Sequence, residues 1–175
     1  KIQGVHNVEN LMAAIAAAKS IKVPAETVQK VIEEFPGLEH RLEFVREKNG
    51  IQFYNDSKGT NVGAVVKSLA SFSVPVVLIA GGVDKGGDYR PLEDEVRRKV
   101  KKLILFGRAK EIIREALGHL TETVVVEDMA AAVKEAYRSG QSGDVVLLSP
   151  ACSSFDMFQN YAERGKVFKT LVRDL

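Results

Sequence analysis

Three short stretches of the sequence carry polar side chains of the types that bind anions or perform catalysis. They read YNDSKGTN at 54–61, GGVDKGGDY at 81–89 and SPACSSFDMFQNYAERG at 149–165. The third contains Cys152, the only cysteine, after an apolar run, where some hydrolases present an attacking side chain. A cysteine nucleophile needs a neighbouring base, and the sequence places none of the histidines (His6, His40 and His119) beside it. Because free cysteines are often small buried apolar residues, we favour that interpretation for Cys152.

The glycine-rich stretch at 81–89 invites comparison with phosphate-binding loops. Val83 and Asp84 stand where a dinucleotide-binding fingerprint needs glycine, and the lysine does not follow the last glycine as it does in a P-loop. What remains is a loop that presents one ammonium group, Lys85. Two interpretations stay open, namely a cation that binds an anionic ligand and a solvated turn residue.

Two further stretches are ambiguous by themselves. The segment at 54–61 places a carboxylate, two hydroxyls and an ammonium group close together at the end of a predicted strand, but such residues also form ordinary turns. The segment LEHRLE at 38–43 places an arginine at a predicted domain junction. A guanidinium group there would suit a phosphate, although a single arginine is weak evidence.

Length and composition restrict the class of protein. The 175 residues leave room for one ordinary domain and a fragment of a second, and 45% hydrophobic residues can form a sizeable core. The formal charge is only +2, which is far from the dense positive field typical of nucleic-acid binding. No apolar stretch approaches the ~18 residues of a membrane helix, and no leader sequence is recognisable. We therefore expect a cytoplasmic protein that binds neither nucleic acid nor membranes, and, since residue 1 is Lys, a piece of a longer chain.

Hydrophobic periodicity predicts alternating helices and strands. Two helical patterns before Pro36 cannot close a core alone, so we expect residues 1–36 to be the tail of a preceding domain. Asn49 and Gly50 predict a tight hairpin turn. Strands are predicted at 42–47, 51–55, 76–80, 103–106, 123–126 and 145–148, and later helices at 62–69, 92–100, 112–117, 129–137 and 158–172. The basic run at 97–102 is expected to be the solvated last turn of a helix.

This alternation predicts an α/β fold with a mainly parallel, doubly wound sheet, to which the hairpin adds an antiparallel edge. Ligands of such sheets bind beyond the carboxyl ends of the strands. The candidate site therefore lies in the loops at 56–61, 81–88 and 149–160.

Five sequence blocks, taken in order, resemble the Mur ligase family. They are GVHNVEN at 4–10, GLEHRLE at 37–43, NGIQFYNDSKGTN at 49–61, GGVDKGGDY at 81–89 and LLSPACSSFDMFQNYAERG at 147–165. Two of these blocks contain the segments NDSK and SPACSSFDMF, which favour the branch of the family that adds D-glutamate. The resemblance implies the last two helices of a central ATPase domain in residues 1–36, followed by a carboxy-terminal Rossmann-like domain in residues 37–175 that binds the incoming amino acid.

The resemblance also implies site residues, position by position. Those that match the family's ATP contacts are Asn7, Asn10, His40, Arg41 and Asp56. Those that match positions around D-glutamate are Lys58, Thr60, Lys85, Ser154, Phe155 and Tyr161. Arg164 matches an arginine of the motif to which the resemblance assigns no contact. Relatives can carry Leu or Phe at the positions of Phe155 and Tyr161, and Gly59 replaces a common alanine.

The chemistry implied by the resemblance is ATP-dependent amide formation in peptidoglycan precursor synthesis. UDP-N-acetylmuramoyl-L-alanine becomes an acyl phosphate, which the amine of D-glutamate attacks, so no enzyme cysteine is acylated. ATP and Mg²⁺ are the implied cofactors, with the metal ligands in the central domain outside this chain, and we expect a monomer. The chain alone, without its amino-terminal and central domains, is expected to be inactive. Two alternatives stay open: another amino-acid-adding Mur ligase, and a non-catalytic nucleotide or amino-acid binding module.

Overall fold

The computed structural model describes residues 5–175, so Gly4 and the start of the predicted segment 1–36 lie outside the described residues. The helices are α1 (Val5–Ser20), α2 (Ala25–Glu34), α3 (Val62–Ala70), α4 (Glu93–Lys99), α5 (Lys110–Leu117), α6 (Met129–Ser139) and α7 (Tyr161–Asp174). The strands are β1 (Glu43–Lys48), β2 (Ile51–Asn55), β3 (Val76–Gly81), β4 (Val100–Phe106), β5 (Glu122–Val125) and β6 (Val145–Leu148). A short 3₁₀ helix, Arg90–Leu92, precedes α4.

The strands form one sheet in the order β1-β2-β6-β3-β4-β5. β1 and β2 pair antiparallel across a turn in which Asn49 and Gly50 both have positive φ, which is the conformation that favours Asn-Gly in tight hairpins. The other neighbouring strands pair in parallel. These pairings confirm the predicted mainly parallel sheet with an antiparallel edge.

Helices cover both faces of the sheet, as the continuous apolar strands require. On one face, Leu78 and Leu103 pack with residues of α3, α4 and α5. On the other face, Ile79 and Ile104 pack with residues of α6 and α7. Because side chains alternate along a strand, β3 and β6 contribute to both clusters and are buried throughout. The sheet is therefore enclosed between two layers of helices.

The basic run at 97–102 is only partly a helix end. Arg97, Arg98 and Lys99 form the last turn of α4, but β4 begins immediately at Val100. Lys101 forms an ion pair with Asp144 at 2.8 Å, and Lys102 lies 2.7 Å from both Glu122 and Glu135. The prediction for the last two lysines was therefore wrong, because the helix passes into the strand without a loop.

The two amino-terminal helices differ from the rest in burial. None of the side chains described in α1 or α2 is fully buried; Met12 of α1 is 65% exposed, and Ile21, directly after α1, is 76% exposed. Val8 and Val31 are also exposed. Among the described helices, none is long and apolar enough to cross a membrane.

Candidate functional site

Three loops converge at the carboxyl edge of the sheet. They follow β2, β6 and β3, which are direct neighbours in the sheet. A short antiparallel bridge joins Val83 of the loop after β3 to Ser153 of the loop after β6. The amide of Ala151 donates to the Gly59 carbonyl at 2.9 Å, so the loop after β2 also meets the loop after β6. The three stretches therefore come together at one edge of the sheet, as the parallel topology predicts.

Arg164, in the first turn of α7, forms hydrogen bonds with all three loops. Its guanidinium donates to Ser57 Oγ at 3.0 Å and to the Ser57 and Cys152 carbonyls at 2.9 and 3.1 Å. A longer bond of 3.4 Å reaches the Gly81 carbonyl. The side chain is fully buried, and burial lowers the pKa of Arg164 to about 10. Since each of the three loops supplies an acceptor, Arg164 fixes their relative positions, and its planar group of donors suits this task.

Asp56 lies at the end of β2 and is buried among polar groups. Its Oδ2 accepts hydrogen bonds from Ser68 of α3 and from Ser149 after β6, both at 2.7 Å. Its Oδ1 accepts a longer bond of 3.4 Å from the Leu42 amide. Burial raises the pKa of Asp56, although the two serine hydroxyls act to lower it. The carboxylate thus links α3, β2 and β6, and it also lines the cavity described below.

His40 is buried in the turn that precedes β1. Its Nδ1 lies 2.9 Å from Asn55 Nδ2, and its backbone N–H donates to Glu43 at 2.9 Å. Burial lowers the pKa of His40, although Glu43 acts to raise it. A Cβ on Gly165 would overlap the imidazole, so the contact between α7 and this turn requires glycine. His40 therefore joins the turn before β1 to α7, and its own carbonyl accepts the Lys58 amide at 3.1 Å.

The residues that match positions around D-glutamate lie along the three loops and at the start of α7. Lys58 and Tyr161 are adjacent: the ammonium nitrogen lies 3.3 Å from the phenol oxygen and 5.0 Å from the ring centroid, within range of a cation–π interaction. Lys85 is exposed on the loop after β3. Ser154 is buried, whereas Phe155 is 72% exposed. Thr60 is half-buried, and its amide donates to the Lys58 carbonyl.

The group of five residues that match the family's ATP contacts lies around a cavity of about 770 Å³ between α1, α2 and the sheet. Four of its five members line this cavity, namely Asn7, Asn10, Arg41 and Asp56. His40 does not line it. Lys58 lines the cavity as well as meeting Tyr161, so it lies where the two predicted groups join.

Cys152 lies behind the surface of the site. Its side chain is fully buried, and burial raises the pKa of the thiol, which disfavours the thiolate that a nucleophile needs. Its hydrogen-bond partner is the hydroxyl of Tyr89 at 3.2 Å. The structure thus supports the interpretation of Cys152 as a buried residue.

Several residues that shape the site were not assigned these roles from the sequence. Ser57 was noted only as one of the hydroxyls in 54–61, and Asn55 only as part of that stretch, whereas the structure shows them bonded to Arg164 and His40. Ser68 and Ser149 hold Asp56, and Tyr89 closes the loop after β3. Asn55 and Ser149 could have been found as polar residues that follow apolar strands, but a serine within α3 gives no such signal.

The chain resembles known proteins in both sequence and structure. A family model described as "Mur ligase, glutamate ligase domain" matches residues 40–152. The UDP-N-acetylmuramoylalanine–D-glutamate ligase of Geotalea uraniireducens is 54% identical over 175 residues, covering 100% of this chain and 39% of the relative. The ligase of the same name from Bdellovibrio bacteriovorus is 53% identical over 173 residues, covering 99% of this chain and 37% of the relative. The chain thus spans less than two fifths of the length of either relative.

Solved structures show the same fold at low identity. The UDP-N-acetylmuramate-alanine ligase MurC of Thermotoga maritima superposes with a TM-score of 0.73 at 18% identity, over 99% of this chain and 39% of the other. The MurF ligase of Thermotoga maritima, solved in complex with ADP, gives a TM-score of 0.60 at 14% identity, over 98% of this chain and 39% of the other.

Proposed function

The chain belongs to the Mur ligase family through its glutamate ligase domain, and from that premise we propose that it is the carboxy-terminal part of a UDP-N-acetylmuramoylalanine–D-glutamate ligase. The complete protein would join D-glutamate to UDP-N-acetylmuramoyl-L-alanine at the expense of ATP. The observation that carries this proposal is the identity of 53–54% to relatives of that name along the whole chain.

Residues 1–36 are proposed to be the last helices of the central ATP-binding domain, and residues 37–175 the amino-acid-binding domain. The lack of fully buried side chains described in α1 and α2 supports this division, because helices that belong to another domain would bury their apolar residues there. The sheet, in contrast, has its own core on both faces. We propose that the remaining domains of the protein cover the exposed side chains of α1 and α2.

The cavity beside α1 and α2 is the proposed nucleotide site. Asn7 and Asn10 supply amide groups that suit the edge of a base, and Arg41 supplies an exposed guanidinium that suits a phosphate. Asp56 is proposed to contact the ribose from the floor of the cavity. His40 is proposed to act without touching the nucleotide, because its buried ring, bonded to Asn55, holds the turn that carries Arg41. ATP supplies the phosphoryl group that activates the substrate carboxylate, and the Mg²⁺ ligands are proposed to lie outside this chain.

The amino-acid site is proposed to lie at the meeting point of the three loops. D-Glutamate brings two carboxylates, which need cationic and hydroxyl donors, and an amine that must stay unprotonated in order to attack. Lys58 and Lys85 supply the cations from two different strand ends, and Thr60 and Ser154 add hydroxyl groups. Tyr161 and Phe155 would form its walls.

The test is Lys85→Ala in the full-length protein. Loss of a charge-assisted bond to a carboxylate should raise the KM for D-glutamate roughly 10-fold to 150-fold, with a much smaller change in the KM for ATP. Lys85→Arg should recover only part of the loss, since the guanidinium has a different shape. The matched control is Lys134→Ala, which removes an exposed lysine from α6 and should leave both constants unchanged.

Phosphate release, measured with each substrate varied in turn, decides the outcome. Turnover that depends on another amino acid would place the protein in a different branch of the family. Binding of nucleotide or amino acid with no turnover by the full-length protein would favour a non-catalytic binding module. An equal rise in the KM for ATP would remove Lys85 from the amino-acid site.

A further inference from the structure

The hydroxyl of Tyr89 touches two of the loops that form the site. It donates to Asp84 Oδ1 at 2.8 Å, within the loop after β3, and lies 3.2 Å from Cys152 Sγ, within the loop after β6. The Tyr89 side chain is buried, and it directly precedes the 3₁₀ helix Arg90–Leu92. A single hydroxyl group therefore bridges the two loops from the inside.

Asp84 extends this bridge to the backbone around Lys85. Its carboxylate accepts the amide of Gly86 at 2.9 Å and that of Gly87 at 3.3 Å. These two bonds hold the backbone that directly follows Lys85. Burial acts to raise the pKa of Asp84, but the bonds from Tyr89 and the two glycine amides outweigh it and lower that pKa. The carboxylate is thus held in its charged form, which is the better acceptor.

The two loops are also joined by backbone hydrogen bonds between Val83 and Ser153. Val83 donates its amide to the Ser153 carbonyl at 2.9 Å, and Ser153 donates back to the Val83 carbonyl at 3.1 Å. Lys85 lies two residues after Val83, and Ser154 lies one residue after Ser153. Their separation is therefore set by the backbone pairing on one side and by the hydroxyl of Tyr89 on the other.

We propose that Tyr89 is a positioning residue, which through Asp84 and Cys152 sets Lys85 against Ser154 for binding of the D-glutamate carboxylates. This inference rests on the proposed function. Its physical reason is preorganisation: a lysine on a loop with several glycines must otherwise be ordered when the ligand binds, and the entropy lost then weakens binding. Tyr89 has no contact with the ligand in this proposal and acts only through the loop.

The test is Tyr89→Phe in the full-length protein, which removes one oxygen and keeps the ring. We expect the KM for D-glutamate to rise roughly 5-fold to 20-fold, which is part of the effect of losing Lys85 itself, with less than a twofold change in the KM for ATP. The matched control is Tyr137→Phe. The hydroxyl of Tyr137 accepts a bond from Asn49 of the β1–β2 hairpin at 2.7 Å, and its removal should leave both constants unchanged.

A double-mutant cycle separates positioning from general stability. If Tyr89 acts through Lys85, then Tyr89→Phe should change the KM for D-glutamate less than twofold when Lys85 is already alanine. Two results would overturn the inference in a protein whose wild-type turnover depends on D-glutamate. One is a KM for D-glutamate that is unchanged in Tyr89→Phe, and the other is a double variant in which the two single increases in that KM multiply. A wild-type protein without D-glutamate-dependent turnover would instead overturn the proposed function, and this inference with it.

Discussion

Removal of the Arg164 guanidinium should destabilise the fold more than any exposed arginine does. Arg164→Met keeps most of the length of the side chain but leaves the buried Ser57 and Cys152 carbonyls without the donors that lie 2.9 and 3.1 Å away. At roughly 1–3 kcal/mol for each unsatisfied buried acceptor, these two carbonyls alone cost about 4 kcal/mol as a central value. For a fold of this size, that cost lowers the midpoint of thermal unfolding by about 8–16 °C.

The assay is thermal unfolding of residues 1–175, followed by circular dichroism, for the wild type and two variants. Arg90→Met is the matched control, since Arg90 also makes several hydrogen bonds, all to Asp88 in an exposed pair. An exposed pair of this kind contributes roughly 0–1 kcal/mol, so the control should melt within a few degrees of the wild type. If Arg164→Met lowers the midpoint no more than Arg90→Met does, the role of Arg164 as the link between the three loops is refuted.

Three further results are expected. Cys152→Ala in the full-length protein should retain most of its turnover, and a loss of ~10³-fold in a folded variant would restore Cys152 as a nucleophile. Because burial lowers the pKa of His40, the unfolded chain takes up a proton more readily than the folded chain as the pH falls below the ordinary histidine value of about 6.5. The stability advantage of the wild type over His40→Asn, a variant that tolerates the positive φ of 65° at this position, should therefore shrink between pH 7.5 and 5.5 in unfolding titrations, and a constant difference would contradict this. Residues 1–175 alone should fold but release no phosphate with all substrates present, and turnover comparable with that of the full-length protein would show that the remaining domains are dispensable.

The elements of the fold followed closely from the sequence because their signals are local. Strand β6 was predicted at its observed bounds, since a short apolar run flanked by polar residues has few other interpretations. Helix α7 begins at Tyr161 rather than at 158, because Asn160 caps it by accepting the Glu163 amide. An asparagine is a recognised start signal, but the apolar Phe158 before it obscured the boundary.

The loops of the site were also predicted, but the contacts within them were not. That three strand ends meet follows from the parallel topology. That Arg164 bonds with Ser57 depends on the packing of α7 under a loop that is 107 residues earlier in the chain, and no local pattern encodes such a contact. The same holds for the contact of Tyr89 with Cys152, which forms only once β3 and β6 are neighbours.

The position of β6 in the sheet determines when the sheet can be completed during synthesis. This strand is the last of the six that the structure describes, yet it lies between β2 and β3 and pairs with both. Until β6 has been synthesised, the edges of β2 and β3 that it will join have no partner strand, and unpaired strand edges are prone to pair with other chains. Only the arrival of β6 joins the two halves of the sheet. The edge of the sheet that bears the candidate site is thus incomplete in every nascent chain that ends before β6.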